Sequence, residues 1–120
     1  LMESVRQKRT AEQIRILLSE IFLLEMKDPR LAGLTVTRVT IDRELQYADI
    51  YVHALAMDER EQEVMEGLQS ASGFLRRELG NHLRLRNTPI LHFHWDPSLA
   101  HAEHINQLLD KLDIPAEEEE

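Results

Sequence analysis

LQSASGFLRREL, residues 68–79, sets the problem of this fold. Leu68 and Gln69 on one side and Leu75-Arg76-Arg77-Glu78-Leu79 on the other are good helix formers, yet Ser70-Ala71-Ser72-Gly73 stands between them. A glycine inside a helix costs about 1 kcal/mol relative to alanine. Val64, Leu68 and Ala71 share one apolar face before the weak segment, and Leu75, Leu79 and Leu83 share one after it. The reading is that both faces reach one compact sheet only if the chain turns a corner, an interhelical kink at Ala71, Ser72 and Gly73. Such a corner opens a second helix with unpaired N–H groups and a positive dipole end, which attract anions. Arg76 and Arg77 follow within its first turn, and Arg77, Asn81 and Arg84 are expected on one face opposite the leucine stripe. The combination predicts a phosphate cradle.

Working outward, residues 5–25 read as a helix, with Ala11, Ile14, Leu17, Leu18, Ile21 and Leu24 as its apolar face. Ile16 and Leu23 fall on the opposite side. Pro29 disfavours helical geometry in Asp28 and stops the helix near Lys27-Asp28. LTVTRVTI (34–41) and YADIYVHAL (47–55) are β-branched, aromatic and alternating, and the short polar DREL between them predicts an antiparallel hairpin. In the second strand Ala48, Ile50, Val52 and Ala54 share one face, and Tyr47, Asp49, Tyr51 and His53 share the other. Residues 58–83 return to helical spacing, and ILHFHW (90–95) reads as a third strand. Asp96-Pro97-Ser98 is expected to start a last helix with Ile105, Leu108, Leu109 and Leu112 buried. The expected architecture is α+β, in the order α-β-β-α-kink-α-β, with a C-terminal helix packed on a small three-stranded sheet.

The chain has 120 residues, enough for one domain with one core, and 42% of them are apolar. Residues 1–114 are expected to form the domain and 115–120 an acidic, disordered tail. With no cysteine, the sequence excludes disulfides, thiolate metal sites and cysteine nucleophiles. No apolar run approaches a membrane span, and LMESVRQKRT has no signal-peptide apolar region, so a cytoplasmic setting is expected. The formal net charge is −8, but Glu117–Glu120 and the block Asp58, Glu59, Glu61, Glu63 and Glu66 carry much of the acid. Positive charge gathers at Arg6, Lys8, Arg9 and Arg15, and again at Arg76, Arg77, Arg84 and Arg86. Local patches, not the total, govern contact with a polyanion.

Helices that meet at a small-residue corner resemble the type II KH domain, whose corner loop clamps a nucleic-acid backbone. AEQIRILLSEI (11–21), KDPRL (27–31), VTRVTIDRELQYADIYV (36–52) and SASGFLRRELGNHLRLRNTPIL (70–91) resemble, in order, the segments of the bacterial ribosome-binding factor A family. That resemblance covers about residues 5–112 and implies a single KH-like domain. It also implies a non-enzymatic factor that binds the immature small (30S) ribosomal subunit through 16S rRNA backbone contacts. Late subunit maturation, 16S rRNA 5′-end processing and growth in the cold are part of the implied role. The RNA-binding residues expected here are Ser72, Gly73, Arg76, Arg77, Arg84 and Arg86, with Lys27, Arg30, Lys8 and Arg9 as further contacts.

Other chemistries are weaker in the sequence. His53, His92 and His94 sit on strands and His101 and His104 on the last helix, but neither pair has a zinc signature, so no metal is expected. No nucleophile elbow, P-loop or dinucleotide glycine pattern is present, and no enzyme activity, cofactor or small-molecule substrate is expected. Tyr47 and Tyr51 are capable of stacking bases from an open sheet face. The alternative role is a protein–protein adaptor that uses the acidic helix 58–66 with Ile16 and Leu23. A monomer is expected.

Overall fold

The computed structural model describes residues 3–54 and 58–97. The first helix, α1 (Val5–Leu24), opens on a capping box. Ser4 Oγ accepts from the Gln7 amide at 3.1 Å, while Gln7 Oε1 accepts from the Ser4 amide at 2.9 Å. Gln7 Nε2 also donates to the Ile41 carbonyl at 3.0 Å, which ties the start of α1 to the first strand. Ala11, Ile14, Leu18, Ile21 and Phe22 are buried, whereas Leu24 is 75% exposed. The stripe thus turns onto Phe22 in the last turn, and Ile16 and Leu23 lie exposed as their positions on the wheel require.

Asp28 caps the short turn Pro29–Leu31, its Oδ1 accepting from the Arg30 amide at 2.9 Å, and Leu31 is completely buried. The Arg30 guanidinium closes on the same carboxylate at 2.7–3.1 Å. Hydrogen bonds from that guanidinium, and then from the Arg30 amide, hold the Asp28 carboxyl below the usual carboxylate range. A depressed folded-state value stabilises the fold above the unfolded value and loses that contribution as pH falls through the folded one. The stability difference between the wild type and Asp28→Asn is therefore expected to stay constant at neutral pH. It should shrink only below about pH 4, which chemical denaturation at several pH values reads directly.

Strands β1 (Thr35–Ile41) and β2 (Tyr47–His53) form the expected antiparallel hairpin. Strict alternation fails once. Val36 and Val39 are three apart, yet both are buried with Ile41. The register slips between Val36 and Arg38, and this bulge returns Val36 to the core face. In the turn, Asp42 Oδ1 accepts from the Gln46 and Tyr47 amides at 2.7 and 2.8 Å. Leu45 adopts a left-handed backbone, φ 59°, and is buried. That conformation costs a leucine about 1–2 kcal/mol, which burial of its side chain offsets.

The second long helix, α2 (Glu61–His82), leads to β3 (Ile90–Trp95), which pairs parallel to β2 in the sheet order β1-β2-β3. A parallel neighbour needs a crossover, and α2 supplies it. Ala48, Ile50 and Val52 on β2, Leu91 on β3 and the helix stripes form one core. The α+β order is thereby established, and the last helix expected after Asp96 lies outside the described residues.

The expected corner is corrected. Helix α2 runs uninterrupted through Ala71, Ser72 and Gly73, and Gly73 has no positive φ. Val64, Leu68, Ala71, Leu75 and Leu79 are spaced four, three, four and four, which places them within about 80° of one another on one cylinder. One helix therefore buries both halves of the stripe without turning. Amides beyond Gly73 lie inside the helix, so no second helix N-terminus faces an anion there.

Candidate nucleic-acid interface

Without a corner, the weak residues need another reason, and the three glycines of α2 supply it. A Cβ on Gly67 would meet Leu31 Cδ2 at 3.2 Å and Arg30 Nε at 3.3 Å, so this glycine seats the Pro29–Leu31 turn. A Cβ on Gly80 would meet Thr88 Oγ1 at 2.7 Å, so Gly80 lets the chain's own segment 87–89 cross the helix. A Cβ on Gly73 would meet nothing within 4 Å among the described residues. Gly73 thus bears the helix penalty with no packing return among the described residues.

Gly73, Arg76, Arg77 and Gly80 recur at i, i+3, i+4 and i+7, a stripe on the face opposite the buried one. The Arg76 guanidinium donates to the Thr88 carbonyl at 2.9 Å through Nη2 and to the Pro89 carbonyl at 3.2 Å through Nε. It pins the crossing segment over Gly80, and among the described residues no carboxylate pairs with it. Arg77 is exposed and, among the described residues, makes no ion pair or hydrogen bond. Gly73, Arg76, Arg77, Asn87 and Thr88 line a cleft of about 320 Å³, floored by bare helix and walled by guanidinium, amide and hydroxyl groups. Such a lining suits a phosphate-bearing chain better than an apolar ligand.

The expected RNA-binding residues do not all meet there. Ser72 lies on the far flank of α2, lining a hollow with Met65, Gln69, Leu91, His92 and Phe93. Arg84 is exposed just past the end of α2, so its place on the Arg77–Asn81 face is corrected. Arg86 lines a neighbouring cleft that shares Asn87 with the first. Lys27 is exposed, Arg30 is half-buried in its ion pair with Asp28, and Lys8 and Arg9 are exposed on α1. Sequence reasoning missed Asn87, Thr88 and Gly80. The seven-residue spacing of Gly73 and Gly80 was a usable signal, whereas the crossing segment had none.

On the open sheet face Tyr47 stacks on His92 at 5.8 Å and Tyr51 on His94 at 4.8 Å, with the Arg38 guanidinium 4.2 Å from the Tyr51 ring centre. His94 Nε2 lies 2.7 Å from Asp49 Oδ1. These rings are spent largely on one another. His53, expected on the open face, is fully buried 5.0 Å from the Trp95 ring. His101 and His104 lie outside the described residues. Of the acidic block, Glu61 and Glu63 occupy the first turn of α2, where they favour its dipole, and Glu63 pairs with Arg60 at 3.1 Å. Among the described residues, no helix is long and apolar enough to cross a membrane.

Comparison with known proteins follows the same outline. A family model described as ribosome-binding factor A matches residues 6–109. The ribosome-binding factor A of Azoarcus sp. is 42% identical over 108 residues, covering 90% of this chain and 86% of that protein. The Natranaerobius thermophilus protein of the same name is 36% identical over 113 residues, covering 94% and 86%. Among solved structures, a Thermotoga maritima solution structure titled a putative ribosome binding factor A superposes with a TM-score of 0.67 at 33% identity, covering 78% of this chain and 90% of that one. A Thermus thermophilus ribosome binding factor A homology model, fitted into a map of a 30S complex, gives 0.61 at 28%, covering 72% and 91%. The chain belongs to the ribosome-binding factor A family.

Proposed function

We propose that this protein is a non-enzymatic factor of the immature 30S subunit that grips 16S rRNA by its sugar-phosphate backbone at the Gly73 cleft. The carrying observation is the contrast between Gly80, over which the chain's own segment passes, and Gly73, over which none of the described residues passes. A bare helix surface admits a backbone at close approach, and Arg76 and Arg77 beside it supply charge for phosphates. The homology model of a relative fitted into a 30S complex supports the same partner. Holding one rRNA conformation is a binding role in late maturation, 5′-end processing and growth in the cold, and it calls for no catalytic group.

If Arg76, Arg77, Arg84 and Arg86 neutralise about four phosphates, log K should fall against log salt with a slope of about −3. Between about 50 and 200 mM salt that is a loss of about fifty-fold. Sedimentation with free 30S subunits across that range measures it, and an affinity indifferent to salt would remove the phosphate reading.

A further inference from the structure

We infer that the cleft beyond Asn87, lined by Arg6, Arg43 and Arg86, is a second phosphate-binding site that extends the RNA path from the Gly73 cleft to the tip of the β1–β2 hairpin. The inference rests on the reading of the Gly73 cleft as an RNA site and lengthens it. Arg6, Arg43, Glu44, Leu45, Gln46, Leu85, Arg86 and Asn87 enclose about 640 Å³, with three guanidinium groups against the single carboxylate of Glu44. These groups come from three separate parts of the chain: the first turn of α1, the hairpin turn and the loop before β3.

Several observations converge there. Three arginines elsewhere in the fold are paired with carboxylates, Arg15 with Glu12 at 2.6 Å, Arg30 with Asp28 at 2.7 Å and Arg60 with Glu63 at 3.1 Å, whereas Arg76 and Arg77 of the Gly73 cleft are not, among the described residues. Among the described residues, Arg6, Arg43 and Arg86 form no ion pair, although like charges facing one cleft repel. Of the two acids flanking Arg43 in sequence, Asp42 is turned onto the Gln46 and Tyr47 amides, and Glu44 lines the cleft without pairing with Arg43 among the described residues. The strained residue of the hairpin, Leu45 at φ 59°, lines the same cleft. Asn87 lines both clefts, so the two are contiguous. Continuity with the Gly73 cleft, and a polar rather than apolar lining, favour the next phosphates of the same RNA strand over a separate small ligand.

The test measures binding of single-stranded RNA of about four and about eight nucleotides, the shorter matching the reach of one backbone clamp. The full chain is compared with Arg6→Gln/Arg43→Gln, with Arg77→Glu, and with a control, Arg15→Gln/Arg60→Gln, that removes the same two charges from ion pairs. The expected result is that Arg6→Gln/Arg43→Gln binds the longer RNA about tenfold more weakly, with the salt slope shallower by about 1.4. The shorter RNA should bind it as it binds the wild type, and the control should leave both unchanged. Equal weakening of both lengths, or of neither, overturns the inference while leaving the Gly73 cleft standing. Normal binding by Arg77→Glu removes the Gly73 cleft and this extension together. Saturable binding of ATP or GTP that Arg6→Gln/Arg43→Gln abolishes assigns the cleft to free nucleotide and overturns the RNA assignment.

Discussion

Arg77→Glu is expected to weaken binding to the 30S subunit by about 30-fold at about 100 mM salt, with the log–log salt slope shallower by about 1.4. The effect follows from position. Arg77 lies one turn from Gly73 on the outer face of α2, exposed at the cleft and held by no carboxylate among the described residues. Replacing it by glutamate changes local charge by two at a point where phosphates approach. The same change touches no buried contact, so thermal unfolding should move by only a degree or two, as for other surface substitutions. A folded Arg77→Glu protein that sediments with 30S subunits like the wild type would count against the cleft as the RNA site.

Leu75→Ala should do the reverse. Leu75 is two residues from Gly73 but completely buried, in the stripe that α2 lays on the sheet. Truncating a fully buried leucine removes its transfer free energy and leaves a cavity, for an expected loss of about 3 kcal/mol. In a domain of this size that lowers the melting temperature by roughly 12–20 °C. Affinity measured well below the new midpoint should be nearly unchanged, because the outer face of the helix is intact. A loss under about 1 kcal/mol would mean that the stripe is not packed as described. Together the two substitutions separate the face of α2 that holds the fold from the face that meets a partner.

Much of the architecture was legible in the sequence because its signals were local. The Asp28-Pro29 stop, the β-branched hairpin and the period of α1 each act within a few residues, and each appears in the structure. The family was legible too, through ordered segments spanning most of the chain. The corner at residues 71–73 was misread for a definable reason. Weak helix formers suggest a break there, although Val64, Leu68, Ala71, Leu75 and Leu79 already describe one continuous face. Propensity is a weak prior, and burial of that face outweighs a penalty of about 1 kcal/mol at one glycine. The bulge beside Thr37 was readable in the three-residue step from Val36 to Val39. The candidate site was legible only in part. Gly73, Arg76 and Arg77 stand within five residues, but the walls that complete the cleft, Asn87 and Thr88, arrive by a chain crossing that only tertiary structure reveals. The same holds for Arg6 and Arg43, which are far apart in sequence and share a hollow only once the hairpin packs beside α1 and the loop before β3.

The purpose of Gly73 is most directly tested by Gly73→Ala, with stability and 30S affinity measured on the same preparation. A methyl group there meets nothing among the described residues and removes a helix penalty, so unfolding should become harder by about 0.5–1 kcal/mol. Binding should fall at the same time, by on the order of tenfold, because the methyl occupies the surface that an RNA backbone approaches. A more stable protein that binds the subunit as tightly as before would contradict the claim that this position is kept bare for RNA.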